Sequence, residues 1–200
     1  MAGARTLRPR GERTRRKLLD AGIEVFGRRG LHSARVDDVV KVAETSHGTF
    51  YLYFANKEEL FRALALDVAS TMTDLAESLA PLSPTDEGRA ALRLWLGRFS
   101  EVHTRYAPVI RAWTEAELGH SDLGRLGADV LGGFAAVLAR RIAESGAHET
   151  SPDVAALAVV ALIERLHYYV LVGQVEATPE QLVDTLAAVI EASLFGPPRP

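Results

Sequence analysis

Between Arg35 and Lys57 the chain gathers side chains that can donate hydrogen bonds outward around a single apolar anchor, Phe50. Hydroxyls, an imidazole and cationic groups in one short stretch suit phosphate oxygens and base edges. Ser46 is placed to cap a helix, its side-chain oxygen accepting from an otherwise orphaned backbone N–H. His47 then points outward from the first turn, where it can donate to a base acceptor or a phosphate. Thr49 suits a thymine methyl or a phosphate, and Gly48 lets the helix backbone approach a duplex closely. Tyr51 and Tyr53 offer hydroxyls to phosphates, with core packing an open alternative for Tyr53. Arg35 and Ser33 are further phosphate candidates, and Phe50 and Phe54 are expected in the local core.

Other chemistry finds little support. The six histidines lack H-x-x-x-H or another ligand spacing on one face, and there is no cysteine, so neither a metal site nor a disulfide is expected. No G-x-S-x-G, P-loop or paired-carboxylate motif is present. Gly124, Gly127, Gly132 and Gly133 follow no strand and miss the dinucleotide spacing. Glu164 and Arg165, set in an apolar helix, read as a pair or an edge rather than a catalytic set. The expectation is a protein that is not an enzyme and carries no cofactor.

A second constellation lies further on. Trp95, Phe99, His103, Tyr106, Trp113, Glu117, Phe134, His167, Tyr168 and Tyr169 could line an apolar pocket with a few polar groups, the usual form of a small-molecule site. Aromatic residues at helical spacing equally suit a core, and that alternative stays open.

The elements that must position these groups are all helical. Val36, Val39, Val40 and Ala43 give one short helix an apolar face, and Ser46 opens another after about three residues, a spacing that suits a helix-turn-helix. A preceding helix is expected from near Thr14 to Arg29, with Gly30 as its stop. Arg13, Arg15, Arg16 and Lys17 crowd its start against the helix dipole, a cost that a nearby phosphate would offset. Residues 1–12, with Arg5, Arg8 and Arg10, read as a flexible basic arm. From Lys57 the apolar spacing predicts a long helix to about Leu79. Further helices are expected over about 86–106, from Pro108 to Gly119, over about 121–145, from Ser151-Pro152 to Gly173, and from Thr178-Pro179 to Gly196.

The run Ser46-His47-Gly48-Thr49-Phe50-Tyr51-Leu52-Tyr53-Phe54, followed by Lys57-Glu58-Glu59-Leu60, resembles the signature of the tetracycline-repressor (TetR) family. The resemblance covers about residues 13–62. It implies an all-α chain with an N-terminal three-helix helix-turn-helix head (13–56) and a helical effector-binding and dimerisation domain (57–200). It makes Lys57 a phosphate clamp, and it implies a small-molecule effector site among the aromatic residues and a homodimer through the last two helices. Two positions depart from the pattern. Glu44 stands where the family has glycine, which suits a left-handed helix end, so a less ideal turn or another geometry is expected. Val40 stands where the family favours a small residue at the helix crossing.

Composition fits this division. With 200 residues, 48% of them hydrophobic, the chain can bury one good core and a smaller satellite. Residues 1–60 hold 12 Lys/Arg against 8 Asp/Glu, and the remainder 11 against 18, so the net positive charge is confined to the first third. The arginine-rich start has no apolar segment after it, so no signal peptide is expected. No apolar run is expected to reach the ~18 residues of a membrane span. Together with the resemblance, which implies such a regulator, these features give the expectation of a cytoplasmic repressor that binds a near-palindromic double-stranded DNA operator and is released by a small molecule, apolar or aromatic to suit the candidate pocket. An activator, an effector-independent DNA-binding protein, and a helical small-molecule binder or enzyme remain as alternatives.

Overall fold

The computed structural model describes residues 9–117, 122–147 and 151–196, with the side chains of 112–117 and 122–124 set aside. Arg5 and Arg8 of the arm, and the side chains of Trp113 and Glu117, lie outside the described set. Among the described residues there are eight helices and no strand: α1 (Pro9–Ser33), α2 (Val36–Val42), α3 (His47–Tyr51), α4 (Lys57–Glu77), α5 (Asp86–Glu117), α6 (Asp122–Glu144), α7 (Pro152–Leu171) and α8 (Pro179–Phe195). They form two compact units, one reaching to Val68 and including Tyr106–Gly124, the other holding Ala69–Arg105 and the chain from Arg125 onward.

In the first unit α1, α2, α3 and the start of α4 enclose a small core. Leu18, Val39, Phe50, Leu60 and Leu64 are wholly buried, and Phe26 meets Phe61 edge to face at 5.6 Å. Gly22 lets α1 and α4 approach closely, because a Cβ there would stand 3.0 Å from Leu60 Cδ2. The α1 helix is already formed at Pro9, the first described residue, five residues before the expected start at Thr14. Arg10 and Glu12 are thus helical, and Arg10 accepts at its carbonyl from Thr14 Oγ1 at 3.1 Å. Gly30, with φ 70°, breaks the helix as expected.

Two further expectations are corrected. Pro108 does not separate two helices, since α5 runs unbroken from Asp86 to Glu117. A proline inside a helix removes one backbone bond and crowds the preceding turn. Here its ring finds room against Gly27, where a Cβ would come within 3.0 Å of Pro108 Cγ. And α7 is, by length and composition alone, apolar enough to cross a membrane, although 28% of its most apolar window is buried. The charged pair Glu164 and Arg165 does not outweigh the aliphatic residues on either side.

The second unit is built on Trp95, Leu96, Phe99, Ile142, Ile163, Leu186 and Ile190, all buried. Trp95 Nε1 donates to the carbonyl of Leu75 at 2.8 Å, satisfying the one polar atom of a buried indole. The start of α8 is fixed by a capping box between Thr178 and Gln181. Arg89 pairs with Glu191 through two guanidinium nitrogens and Arg93 pairs with Asp184, tying α5 to α8.

Candidate nucleic-acid interface

The turn between α2 and α3 keeps the left-handed residue that its family pattern calls for, although the residue is not glycine. Glu44 has φ 48°, and no other described non-glycine residue has a positive φ. A side chain there costs about 1–2 kcal/mol against the right-handed region. The turn is closed by bonds from Glu44 N to Lys41 O at 3.3 Å and from Thr45 N to Val40 O at 2.9 Å. Ser46 then caps α3 as expected, its Oγ accepting from Thr49 N at 3.1 Å and lying 3.0 Å from Thr49 Oγ1.

One side of α3 is anchored and the other is bare. Phe50 is wholly buried, with Tyr51 edge-on to it at 5.5 Å and Phe54 at 5.8 Å. Ser46, His47, Gly48 and Tyr51 are exposed, while Thr49 and Tyr53 are half-buried. Leu52, 81% exposed, adds a large apolar group to this surface. A Cβ on Gly48 would meet only Ser46 Oγ, at 3.8 Å, so nothing inside the chain requires glycine there. Arg35 precedes α2 with its side chain exposed, and its backbone N–H donates to Asp38 Oδ2 at 3.2 Å. Asp38 also meets Arg29 at 3.3 Å.

Lys57 is bound within the head. Its Nζ donates to the carbonyls of His32 at 2.7 Å and Ala34 at 3.0 Å, which holds the start of α4 against the end of α1. Two of three ammonium hydrogens are thereby used. Of the arginines at the start of α1, Arg16 pairs with Asp67 at 3.1 Å and Asp20 at 3.4 Å, and Arg15 lies over the Phe54 ring at 5.8 Å. The sequence reading missed Asp37. Its Oδ1 lies 2.5 Å from His47 Nε2 across the turn. The signal for it is the tight turn itself, which brings the first turns of α2 and α3 together.

In the second unit the aromatic candidates divide. Trp95, Phe99, His103, Phe134 and His167 form one buried cluster, with Phe99 4.9 Å from His167, His103 5.1 Å from His167, and Trp95 5.5 Å from Phe134. Tyr168 lies apart from it beside Tyr169, with Arg165 5.3 Å above the Tyr168 ring. Tyr106 belongs to the first unit, where its hydroxyl donates to Asp67 at 2.8 Å.

The cluster also contains a buried hydroxyl that sequence reasoning passed over. His167 Nδ1 donates to the Ile163 carbonyl at 2.7 Å, so in the neutral ring Nε2 accepts from Ser100 Oγ, also at 2.7 Å. Burial lowers the His167 pKa, partly offset by that carbonyl. Burial, with the neighbouring His167, pushes His103 down to about 4. Both rings are neutral near pH 7, so the cluster presents no charge. Ser100 follows Phe99 directly and precedes His103 by three residues, the helical spacing that could have revealed it.

Comparison with known proteins bears on this head and fold. The family model of bacterial regulatory proteins, tetR family, matches residues 18–64. The transcriptional regulator YdgC of Bacillus subtilis is 40% identical over 73 residues, covering 36% of this chain and 37% of that protein. The first curated relatives are thus matched over well under two thirds of their own length. The regulator EthR of Mycobacterium tuberculosis is 28% identical over 98% of this chain and 94% of its own. A TetR-like transcriptional regulator from Rhodococcus sp. RHA1 is 26% identical, with a TM-score of 0.67 over 96% of this chain and all of that one. These relatives are regulators and not enzymes. A capped, outward-facing α3 on a buried Phe50, the match to the head and the likeness over the whole fold agree, and the chain belongs to the TetR family of bacterial transcriptional regulators.

Proposed function

We propose that the chain is a homodimeric repressor that occupies a near-palindromic operator and leaves it when a small molecule binds the second unit. The observation that carries this reading is α3, whose cap and aromatic anchor are satisfied internally while His47, Gly48 and Tyr51 are turned to solvent. Such a helix fits the major groove. Phosphate contacts from Arg35, Tyr51, Tyr53 and the remaining Lys57 hydrogen would supply affinity, and Ser46, His47 and Thr49 discrimination. A dimer seated on its operator blocks access by occupancy alone, so repression asks nothing of the chain beyond DNA binding. Its place of action is the cytoplasm, where bacterial DNA lies.

The homodimer is supported by an apolar surface on α7 and α8. Val154, Leu157, Val172 and Val189 are between 38% and 66% exposed, and a groove of about 430 Å³ between the two helices is lined by Val154, Ala158, Leu162 and Leu194. Aliphatic surface in that quantity is usually covered in use. Two heads about one DNA turn apart then match two half-sites. The effector is an uncharged apolar or aromatic compound, to suit the neutral ring cluster around Phe99 and His103. The helix α4 holds residues of both units and is the natural lever.

The test is fluorescence anisotropy of a labelled operator duplex with neutral aromatic compounds added. An effector should weaken operator binding by about 5–150-fold, and operator should weaken effector binding by the same factor. A compound that binds the chain tightly and leaves operator affinity unchanged removes the release mechanism. A second reading, a DNA-binding protein that answers to no ligand, is favoured by the direct ring contacts within the cluster, and it predicts that no such compound is found.

A further inference from the structure

We propose that Asp37 sets the hydrogen-bonding face that His47 turns to the bases, so that the pair selects the amino group of cytosine or adenine over the acceptor edge of guanine. This rests on the DNA-binding reading of α3. Asp37 stands in the first turn of α2 and His47 at the first position of α3. Their side chains meet at 2.5 Å while remaining 73% and 56% exposed, so the contact lies on the surface that would face a duplex. Its neighbour Asp38 is already engaged by Arg29 and by the backbone of Arg35. Asp37 has no such duty in holding α2, and its side chain bonds to His47 among the described residues.

The chemistry follows from what each group can give. An ionised carboxylate only accepts, so His47 Nε2 must carry the hydrogen of this bond. In the neutral ring Nδ1 is then bare and accepts. The second oxygen of Asp37 also accepts. The pair therefore offers acceptors outward and no donor. In the major groove the donors are cytosine N4 and adenine N6, whereas guanine and thymine present O6, N7 and O4, which would face these acceptors unpaired. A histidine without this partner could take the other tautomer and donate to guanine. The carboxylate thus acts as a positioning residue for His47 and as a contact in its own right.

The experiment is selection from random duplexes with the full chain at about pH 8, where an imidazole is ordinarily neutral. Wild type, Asp37→Ala, Asp37→Asn and His47→Ala are compared, with thermal melting to confirm that all are folded. The wild type should enrich half-sites with cytosine or adenine at one position. Asp37→Ala should lower that preference about tenfold in favour of guanine, at that position alone. Asp37→Asn, whose amide can still hold Nε2–H but replaces an acceptor with a donor, should lose the amino-group preference too. His47→Ala should remove information at the same position. If Asp37→Ala instead tightens binding to every sequence equally, the carboxylate is only a repulsive charge, and the proposal falls while the DNA-binding reading stands. If the wild type enriches no sequence, both fall together.

Discussion

Acidification should loosen the second unit in a window governed by His103. Its ring is 5% exposed, stacked on Phe99 at 6.0 Å and tilted against His167 at 5.1 Å. No hydrogen bond stabilises its charged form among the described residues, and burial pushes its pKa from 6.5 to about 4. The folded chain therefore keeps this ring neutral where the unfolded chain binds a proton. Stability is full above about pH 6.5 and is lost progressively as the pH falls toward about 4, because the unfolded state binds more protons in that interval. Between about pH 7 and pH 5 the loss from His103 comes to about 2 kcal/mol. His167, lowered mainly by burial, adds in the same direction. Glu180, held low by its own backbone N–H and by Thr178, and Glu191, held low by Arg89, act in a more acid range. Urea unfolding followed by circular dichroism at about pH 7, 6 and 5 measures the effect. His103→Phe replaces the imidazole by a ring that can fill the same space, and it should remove most of the slope. An equal slope in the variant, or a wild type as stable at about pH 5 as at about pH 7, would refute the reasoning.

Three other perturbations probe the head and the assembly. Gly48→Ala should leave melting unchanged or raise stability by roughly 0.5–1 kcal/mol, since the helix gains a better former and no internal clash, yet it should weaken DNA binding in an anisotropy titration. Undiminished binding would show that the duplex does not approach this backbone. Glu44→Gly should stabilise the head by about 1 kcal/mol, read as a rise in melting temperature, because it relieves the left-handed side chain; a fall would show that Glu44 is held there by something more than the turn. Leu157→Asp, at a position 57% exposed on α7, should leave the subunit folded and shift sedimentation from dimer to monomer. An unchanged dimer would move the interface elsewhere.

The parts of the fold legible in the sequence are those fixed by local chemistry. Ser46 announces the start of α3 because capping is a contact between near neighbours, and Phe50 announces its inner side. The apolar spacing from Leu60 to Leu75 gives α4 for the same reason. What the sequence hid depends on contacts made across it. Pro108 reads as a helix break until Gly27 is seen beneath its ring. Asp37 looks like an ordinary first-turn acid until the turn brings it to His47. Tyr168 shares a helix with His167, but one position along a helix turns a side chain by about 100°, enough to carry it out of the cluster. Glu44 departs from its family pattern in residue type and keeps its conformation, because the bonds around it hold the turn.

Binding of the full wild-type chain to a pool of random duplexes at physiological salt, with sequencing of what is retained, tests the central claim most directly. A dimeric reader built around α3 predicts enrichment of an inverted repeat with half-sites about one helical turn apart. Retention without any enriched sequence would contradict it and leave only attraction between the basic first third of the chain and a polyanion.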